Sequence, residues 1–377
     1  MKLTHLFSDF FESEKAGGLI LIMCTLLSLL LANIFIGESY IQFWHIPLFN
    51  HPLEFWINDG LLTIFFLLIG LELEREIYSG ELSTFKSASL PLFGALGGMV
   101  VPACLYYFFN KGFATQSGFG IPMATDIAFA IGILSLLGNK VPASLKVFLT
   151  ALAVMDDLGA IIVIALFYSS GIVWLNVIIA MSVLLLLFIF NRLKINNVIP
   201  YLIGGIVMWY FMVQSGIHAT ITGVLLAFVL PYGDGTRQSI SYQLQNFLHK
   251  PVAFFILPLF ALANTAVIFQ GAWLTNLALP NNVGVMSGLV AGKPIGILLF
   301  ALLAVGIGIC NIPSELNWKH LLGAGLLGGI GFTMSIFITL LAFDDASLIS
   351  GTKIAILLAS VLSGILGYLW LKIILKP

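Results

Sequence analysis

The chain has 377 residues, of which 60% are hydrophobic and 9% are charged, and its formal net charge at pH 7 is −1. A soluble domain carries roughly 25% charged residues, so this composition excludes a soluble surface and indicates an all-α protein that crosses a membrane several times. Neither a basic run nor an excess of positive charge suggests a nucleic-acid partner.

Three cysteines lie far apart in apolar segments. They are Cys24, Cys104 and Cys310. This spacing is neither a disulfide framework nor a metal-binding pattern, and we expect three buried thiols. Acidic residues precede the first apolar run, whereas a cleaved signal peptide would begin with basic ones. We therefore interpret residues 15–33 as a retained first helix.

Apolar runs of the length needed to cross a bilayer, about 20 residues, recur along the whole chain and predict about twelve transmembrane helices. The predicted spans are 12–33, 53–72, 88–109, 118–138, 144–168, 172–190, 198–213, 216–231, 247–270, 284–306, 320–343 and 352–374. The seventh and eighth are short and are separated only by a tight QSGI turn.

The basic residues indicate the orientation, because short cytoplasmic loops are enriched in lysine and arginine. An even number of spans puts both termini on one side of the membrane. Of the 16 basic residues, all but Lys111, Lys353 and the intramembrane Lys293 then fall on that side or at its helix ends. We therefore predict that both termini are cytoplasmic.

Four charged residues lie near the middle of predicted spans. Asp126 is in the fourth span, Asp156 and Asp157 are in the fifth, and Lys293 is in the tenth. Each such charge opposes membrane insertion by ~2.5–3.5 kcal/mol. These side chains must therefore pair with one another, be protonated, or line a water-filled cavity.

A buried ion pair that only fixes helix packing would explain one aspartate and Lys293, but three aspartates cannot all pair with one lysine. Neighbouring helical residues point about 100° apart, so Asp156 and Asp157 cannot face a single proton together. One of them can face a cation cavity while the other faces a neighbouring helix, toward Lys293. We favour a functional ion site.

Other ionisable residues have simpler explanations. His218, in SGIHAT, is expected to be a helix-end residue, although a proton-carrying role remains an alternative. Acidic residues close the second span beside Arg75, and we expect a solvated helix end there, with pH sensing or cation access as the alternative for Glu72 and Glu76. These are Glu72, Glu74 and Glu76.

Two predicted spans contain helix breakers at mid-membrane depth, each just before a threonine. In GFGIPMATDIAFAIG, Pro122 precedes Thr125 and Asp126. In LLGGIGFTMSIFITL, three glycines precede Thr333. They are Gly328, Gly329 and Gly331. Small-residue packing would also explain the glycines of 323–331, but breaks in both spans are our prediction.

Two crossing breaks would form a polar site. Interrupted helices expose partly positive N-terminal ends and partly negative C-terminal ends, which Asp126 and Lys293 could offset. The hydroxyl, carbonyl and carboxylate oxygens suit a hard cation. The fourth and eleventh spans are the middle members of helices 3–5 and 10–12, which start on opposite sides of the membrane. We therefore predict an inverted repeat.

Several motifs together resemble one known family. They are WINDGLLTIFFLLIGLELERE (56–76), TDIAFAIGILSLLG (125–138), ALAVMDDLGAIIVIALFY (151–168), AGKPIGI (291–297) and GIGFTMSIFI (329–338). The chain resembles the NhaA-type Na+/H+ antiporters of bacterial inner membranes, from AGGLIL (16–21) to GYLWLK (367–372). The combination of TD, DD and GKP is more specific than shared hydropathy.

The resemblance implies roles for the intramembrane residues. Asp156 and Asp157 correspond to the essential pair that binds Na+ and protons. Asp126, with Thr125 beside it, corresponds to the aspartate at the crossing of the interrupted helices. Lys293 corresponds to the lysine that pairs with the site or the helix ends. We interpret Asp157 as the main cation ligand and Asp156 as the partner of Lys293.

The resemblance also implies a single antiporter domain with two structural parts. A core of about 88–168 and 284–374 packs against a panel of about 12–72 and 172–270 that forms a homodimer, supported by a hairpin between helices 1 and 2. The corresponding loop 34–52 is short here.

Two further positions stand out against the family pattern. Asp59 corresponds to an acidic residue near the outer end of the second helix, with a possible role in pH sensing or cation access. Gln245 stands where family members carry an acidic residue in a region tied to pH sensing.

The expected function is secondary transport, not enzymatic catalysis. Na+ or Li+ would leave the cell in exchange for H+, by competition at the aspartate pair, electrogenically and with activation at alkaline pH. No cofactor is expected, and the partners are these ions, membrane lipid and a second copy of the chain.

Three alternative functions fit the sequence less well. A Na+-coupled symporter would need a substrate pocket, yet no intramembrane arginine or second lysine is present to bind an organic anion. An intramembrane aspartyl protease would carry GxGD rather than MDDLG. A passive channel would not need a proton-holding pair of carboxylates.

Overall fold

The computed structural model describes residues 5–80, 83–169, 171–233, 235, 239–269, 271 and 273–375. Three basic residues of the predicted charge pattern lie outside the described residues: Lys2, Arg237 and Lys376.

The described chain is almost entirely helical. Its α-helices are α1 (His5–Leu30), α2 (Glu38–Trp44), α3 (Leu53–Phe55), α4 (Leu62–Ser79), α5 (Phe85–Asn110), α6 (Ile127–Ser135), α7 (Ala143–Phe167), α8 (Trp174–Arg192), α9 (Val198–Val213), α10 (Ile221–Ala227), α11 (Ile240–Pro251), α12 (Leu257–Asn264), α13 (Trp273–Asn276), α14 (Pro280–Ser287), α15 (Lys293–Gly306), α16 (Trp318–Gly328), α17 (Phe332–Ala342) and α18 (Ala346–Ile374). The π-helical segments are Leu31–Phe35, Trp56–Leu61, Val252–Ile256 and Gly288–Gly292, and the 3₁₀ segments are Ala114–Met123 and Gly138–Lys140.

The spans agree with the predicted class of protein. Within the described residues, eight helices are long and apolar enough to cross a membrane, and two bent helix pairs raise this number to ten. The seventh and eighth predicted spans correspond to α9, with 16 residues, and α10, with 7 residues. The prediction of an all-α, multi-pass protein is confirmed. A count of twelve spans requires that α9 and α10 also cross the membrane.

The described chain forms two compact units. The first contains Met1–Trp44, Thr84–Ala160 and Leu257–Pro377, and the second contains His45–Ser83 and Ile161–Ile256. The division into a core of two repeats and a dimer-forming panel, drawn from the resemblance, stays a prediction.

In the first unit, α5 and α15 pack backbone to backbone through glycines. A Cβ atom placed on Gly97 or on Gly296 would collide with the carbonyl oxygen of the other glycine. Small residues allow such close approach between membrane helices. This contact fixes α15, which begins at Lys293, against α5.

Buried polar side chains join the end of α5 to α14 and α18. The Tyr106 hydroxyl lies 2.6 Å from both the Thr115 carbonyl oxygen and Asn281 Oδ1, and the Asn281 amide donates to Thr352 Oγ1 at 2.6 Å. These side chains are almost fully buried. Because an unpaired polar group inside a membrane protein is costly, this network sets the relative positions of the three helices.

In the second unit, α4 and α10 also approach closely, because a Cβ atom on Gly223 would lie 2.7 Å from the Leu67 nitrogen. The unit includes a short hairpin of β1 (Pro47–Leu48) and β2 (His51–Pro52), paired antiparallel. Its turn residues Phe49 and Asn50 have positive φ values of 48° and 67°. Although loop 34–52 is short, it therefore contains a hairpin.

The expectation of three buried thiols is wrong. All three cysteines are free, and Cys310 is buried, but Cys24 is half-buried and Cys104 is exposed. A thiol behaves as a small apolar group, so a cysteine on a membrane span can face lipid without a cost that would force it inside.

Candidate functional site

Both predicted helix breaks are present in the structure. The first break, Ala124–Asp126, separates Ala114–Met123 from α6 with a bend of 42°, and the second, Gly329–Gly331, separates α16 from α17 with a bend of 48°. Pro122 lacks a backbone N–H and cannot continue helical hydrogen bonding, and Ala124 and Asp126 have extended backbones.

The two breaks are in direct contact. The Asp126 backbone N–H donates to the Ile330 carbonyl oxygen at 2.6 Å, and the Thr125 hydroxyl lies 2.8 Å from the Gly328 carbonyl oxygen. The first half of each interrupted span packs beside the second half of the other. The spans therefore run in opposite directions and cross where both are unwound.

Glycine at the second break permits this close packing. A Cβ atom on Gly329 would collide with the Leu289 carbonyl oxygen and would lie 2.7 Å from Ser363 Oγ. Helix-breaking glycine in a membrane span is tolerated where neighbouring groups satisfy the freed backbone. The glycines therefore allow close helix packing and also place backbone carbonyl oxygens at the crossing.

Asp126 caps the N-terminal ends of both second half-helices. Its Oδ1 accepts from the Phe129 N–H at 3.0 Å, while Oδ2 accepts from the Thr333 N–H at 3.1 Å and from the Thr333 hydroxyl at 2.5 Å. Its side chain is buried, with 2% exposed. A carboxylate in this position offsets the partial positive charge of the helix ends.

Lys293 and Asp156 form a buried ion pair near the crossing. Lys293 Nζ lies 2.5 Å from Asp156 Oδ2 and donates to Thr125 Oγ1 at 2.8 Å, and the Thr125 hydroxyl also lies 2.8 Å from Asp156 Oδ2. Both charged side chains are completely buried. This is the pairing that the sequence interpretation favoured, and it links α7, α15 and the first break.

One carboxylate oxygen of this pair lacks a protein donor. Asp156 Oδ1 is buried and accepts no hydrogen bond from the described residues. The next residue, Asp157, is also buried, with 1% exposed, and follows it by about 100° around α7. Two adjacent buried aspartates therefore project from α7 in different directions, and the first of them pairs with Lys293.

These ligands differ from those of a resident transition metal. Among the described residues, no group of three or more His, Cys, Asp or Glu side chains could hold a metal ion. The oxygens available at the crossing come from aspartates, a threonine and backbone carbonyls, which are ligands for a hard monovalent or divalent cation.

The expectation that the acidic residues of α4 are solvated is wrong for Glu72 and Glu74, which are 3% and 4% exposed. Glu72 Oε1 lies 3.5 Å from His249 Nδ1, and Glu74 Oε2 accepts from the Ser241 hydroxyl at 3.0 Å. Membrane helices bury such groups only with partners. Here α11 supplies the partners, which the local pattern of α4 could not reveal.

The remaining predicted residues of the second unit are partly buried. Glu76 pairs with Arg75 at 2.9 Å. Asp59 lies in the π-helical segment Trp56–Leu61, where its carbonyl oxygen accepts from Trp209 Nε1 at 3.0 Å. His218 Nε2 lies 2.9 Å from the Tyr168 carbonyl oxygen.

The intramembrane candidates from the sequence all lie in the first unit. These are Pro122, Thr125, Asp126, Asp156, Asp157, Lys293, Gly331 and Thr333. The peripheral candidates all lie in the second unit: Asp59, Glu72, Glu76 and His218. Sequence reasoning missed Ser360, which accepts from the Phe332 N–H, and Ser335, which donates to the Ile121 carbonyl oxygen.

These features define a class of protein: a multi-pass α-helical membrane protein with a buried aspartate–lysine site at two crossing helix breaks. Comparison with known proteins identifies the family within that class. The signature of the family described as Na+/H+ antiporter 1 matches residues 8–371. The chain belongs to this family, which confirms the resemblance seen in the sequence.

Similar proteins from bacteria cover the whole chain. A protein of Flavobacterium psychrophilum named Na(+)/H(+) antiporter NhaA is 62% identical over 376 residues, covering 100% of this chain and 98% of its own length. One of the same name from Dechloromonas aromatica is 56% identical over 375 residues, covering 98% and 96%.

A solved structure shares the fold. The sodium proton antiporter MjNhaP1 from Methanocaldococcus jannaschii, solved at pH 8, superimposes with a TM-score of 0.56 over 98% of this chain and 100% of its own. Because only 16% of its residues are identical, this likeness bears on the fold alone.

Proposed function

We propose that this chain is a secondary transporter that exchanges Na+ or Li+ for protons across the bacterial inner membrane. The observation that carries the proposal is the buried Lys293–Asp156 pair at the crossing, where no described residue donates to Asp156 Oδ1 and the next residue, Asp157, is also buried. The names of the similar bacterial proteins agree with the exchange of Na+ for protons.

Exchange follows from the cost of an uncompensated charge in a membrane interior. An uncompensated carboxylate there is unfavourable, so a pair of adjacent buried aspartates favours a state that carries either a proton or a cation. The site holds either a proton or a cation. If it opens to the other side of the membrane only when one of them is bound, the proton flux and the cation flux are coupled. In this proposal Asp157 is the main ligand, and Asp156 and Thr125 contribute oxygens.

Lys293 Nζ lies 2.5 Å from Asp156 Oδ2. A cation that binds to the aspartates competes with the ammonium group for Asp156. If the lysine then loses its proton while Asp157 loses its own, two protons leave for each Na+ and each cycle moves one charge. A membrane potential then contributes ~2.3 kcal/mol per charge per 100 mV to Na+ export.

Competition also gives the direction of the pH effect. Protons and Na+ bind to the same carboxylates, so lower proton concentration favours the cation-loaded state. We propose that exchange rises toward alkaline pH, with Asp59, Glu72, Glu76 and His218 as further contributors to pH sensing or cation access.

We further propose that both termini are cytoplasmic and that two copies associate through the panel residues, about 12–72 and 172–270. The core residues, about 88–168 and 284–374, would then carry the site.

The proposal can be tested in inside-out membrane vesicles by measuring proton efflux on addition of Na+ or Li+ at pH values from about 6.5 to 9. We expect efflux with the unmodified protein, loss of efflux with Asp157→Asn, and strong impairment with Asp156→Asn. Asp344→Asn makes the same chemical change at an exposed residue and should retain activity.

Vesicles of the unmodified protein that respond to neither cation at any pH would contradict antiport. Efflux that survives in Asp157→Asn would instead contradict the assigned ligand. Imposing or collapsing the membrane potential separately tests electrogenicity, since electroneutral exchange would not change rate.

A further inference from the structure

The second break leaves the first N–H groups of α17 without partners inside that helix, as at every helix N-terminus. Two neighbours supply acceptors. The Phe332 N–H donates to Ser360 Oγ at 3.1 Å, and the Thr333 N–H donates to Asp126 Oδ2 at 3.1 Å. Ser360 lies on α18 and is 6% exposed.

We infer that Ser360 is a positioning residue for the cation site, and this inference rests on the proposed function. Its hydroxyl oxygen holds the N-terminal end of α17 against α18. Asp126 caps the adjacent N–H, so the two residues divide the capping of α17 between them.

The contact at Phe332 reaches the site through two short connections. Toward its C-terminal side lies Thr333, whose N–H and hydroxyl hold Asp126. Toward its N-terminal side lies the second break, whose carbonyl oxygens at Ile330 and Gly328 accept from the first break. A displacement of Phe332 therefore moves both faces of the crossing.

The second of these connections ends at the proposed ligands. The Thr125 hydroxyl that contacts the Gly328 carbonyl oxygen also contacts Asp156 and accepts from Lys293. In addition, the rings of Phe129 and Phe332 lie 4.6 Å apart, so a shift of α17 also presses on α6. In this inference Ser360 acts on the ligands only through its contact with the Phe332 N–H, by setting the position of α17.

The helix α18 is suited to this role because it is continuous over 29 residues beside an interrupted one. A continuous helix provides a fixed reference for a short half-helix of 11 residues. Without the hydroxyl, the buried Phe332 N–H would lose its acceptor, and the start of α17 would have to move to find another.

Ser363 provides a matched control. It lies on the same helix, one turn further on, is 1% exposed, and its Oγ would lie 2.7 Å from a Cβ atom on Gly329. Its hydroxyl nevertheless has no hydrogen-bond partner among the described residues. Ser363 thus resembles Ser360 in residue type, in burial and in its position near the second break. Unlike Ser360, it makes no hydrogen bond to the start of α17 among the described residues.

The experiment measures Na+-dependent and Li+-dependent exchange in vesicles, with rates divided by the amount of antiporter in the membrane. We expect Ser360→Ala to raise the apparent KM for both cations about three- to tenfold, as for one lost hydrogen bond, while the maximal rate changes by less than about twofold. Ser360→Thr keeps the hydroxyl and should restore most of the affinity, and Ser363→Ala should match the unmodified protein.

Each other outcome is decisive. An unchanged KM in Ser360→Ala would overturn the inference, as would an effect equally large in Ser363→Ala. A fall in maximal rate with constant KM would show a general structural role instead. If Ser360→Ala does not reach the membrane, Ser360→Cys keeps the volume with a weaker acceptor and should still raise KM.

The proposed function fails separately. It is contradicted when the unmodified protein shows no cation-driven exchange, whereas the role of Ser360 fails when that exchange is present and its KM does not respond to the loss of the hydroxyl.

Discussion

At the scale of single residues, the Lys293–Asp156 pair shows how a membrane interior can hold charge. Both side chains are fully buried at 2.5 Å. Removing one partner of a buried pair leaves an uncompensated charge, which costs about 3–5 kcal/mol, whereas removing both charges costs much less. Each member of the pair therefore stabilises the folded protein mainly by compensating the buried charge of the other.

We predict that Lys293→Met alone lowers the stability of the purified protein, by about 3 kcal/mol or more. Adding Asp156→Asn to Lys293→Met should recover part of that loss, because the second change removes the orphaned charge. Thermal unfolding in detergent provides the measurement. A double variant no more stable than Lys293→Met would show that the two side chains are not energetically coupled.

At the scale of helices, the crossing depends on the absence of side chains at the second break. A Cβ atom on Gly329 would collide with the Leu289 carbonyl oxygen, whereas a Cβ atom on Gly306, at the end of α15, meets nothing within 4 Å. The same substitution should therefore have opposite effects at the two glycines.

We predict that Gly329→Ala destabilises the protein and impairs exchange, since overpacking typically costs 1–3 kcal/mol. Gly306→Ala should be neutral or slightly stabilising, because alanine favours helix by up to about 1 kcal/mol over glycine. Unfolding temperature and exchange rate are compared for the two variants. Equal behaviour would mean that the backbone at the second break can move aside.

At the scale of the whole molecule, the distribution of basic residues predicts the orientation. Lys111 and Lys319 are both exposed, and the predicted topology places them on opposite sides of the membrane. In a variant without the natural cysteines, a membrane-impermeant maleimide should label Lys111→Cys from the outside only and Lys319→Cys from the inside only. Labelling of both from one side would contradict the predicted topology.

The sequence and the structure agree best where a local rule operates. The composition and the apolar runs required a multi-pass helical protein, and Pro122 and the glycines ahead of Thr333 predicted both breaks. The burial of Glu72 and Glu74 was not predictable in this way, because their partners His249 and Ser241 lie more than 160 residues away along the chain.

By itself, the sequence determined that the chain spans a membrane, which spans are interrupted, and which residues carry charge into the apolar interior, because insertion costs and helix breaking act over short stretches. Only the tertiary structure decided that Lys293 contacts Asp156, that Asp126 caps two half-helices, and that Ser360 holds the start of α17. Those contacts join distant segments, and only the packing of whole helices brings them within hydrogen-bond distance.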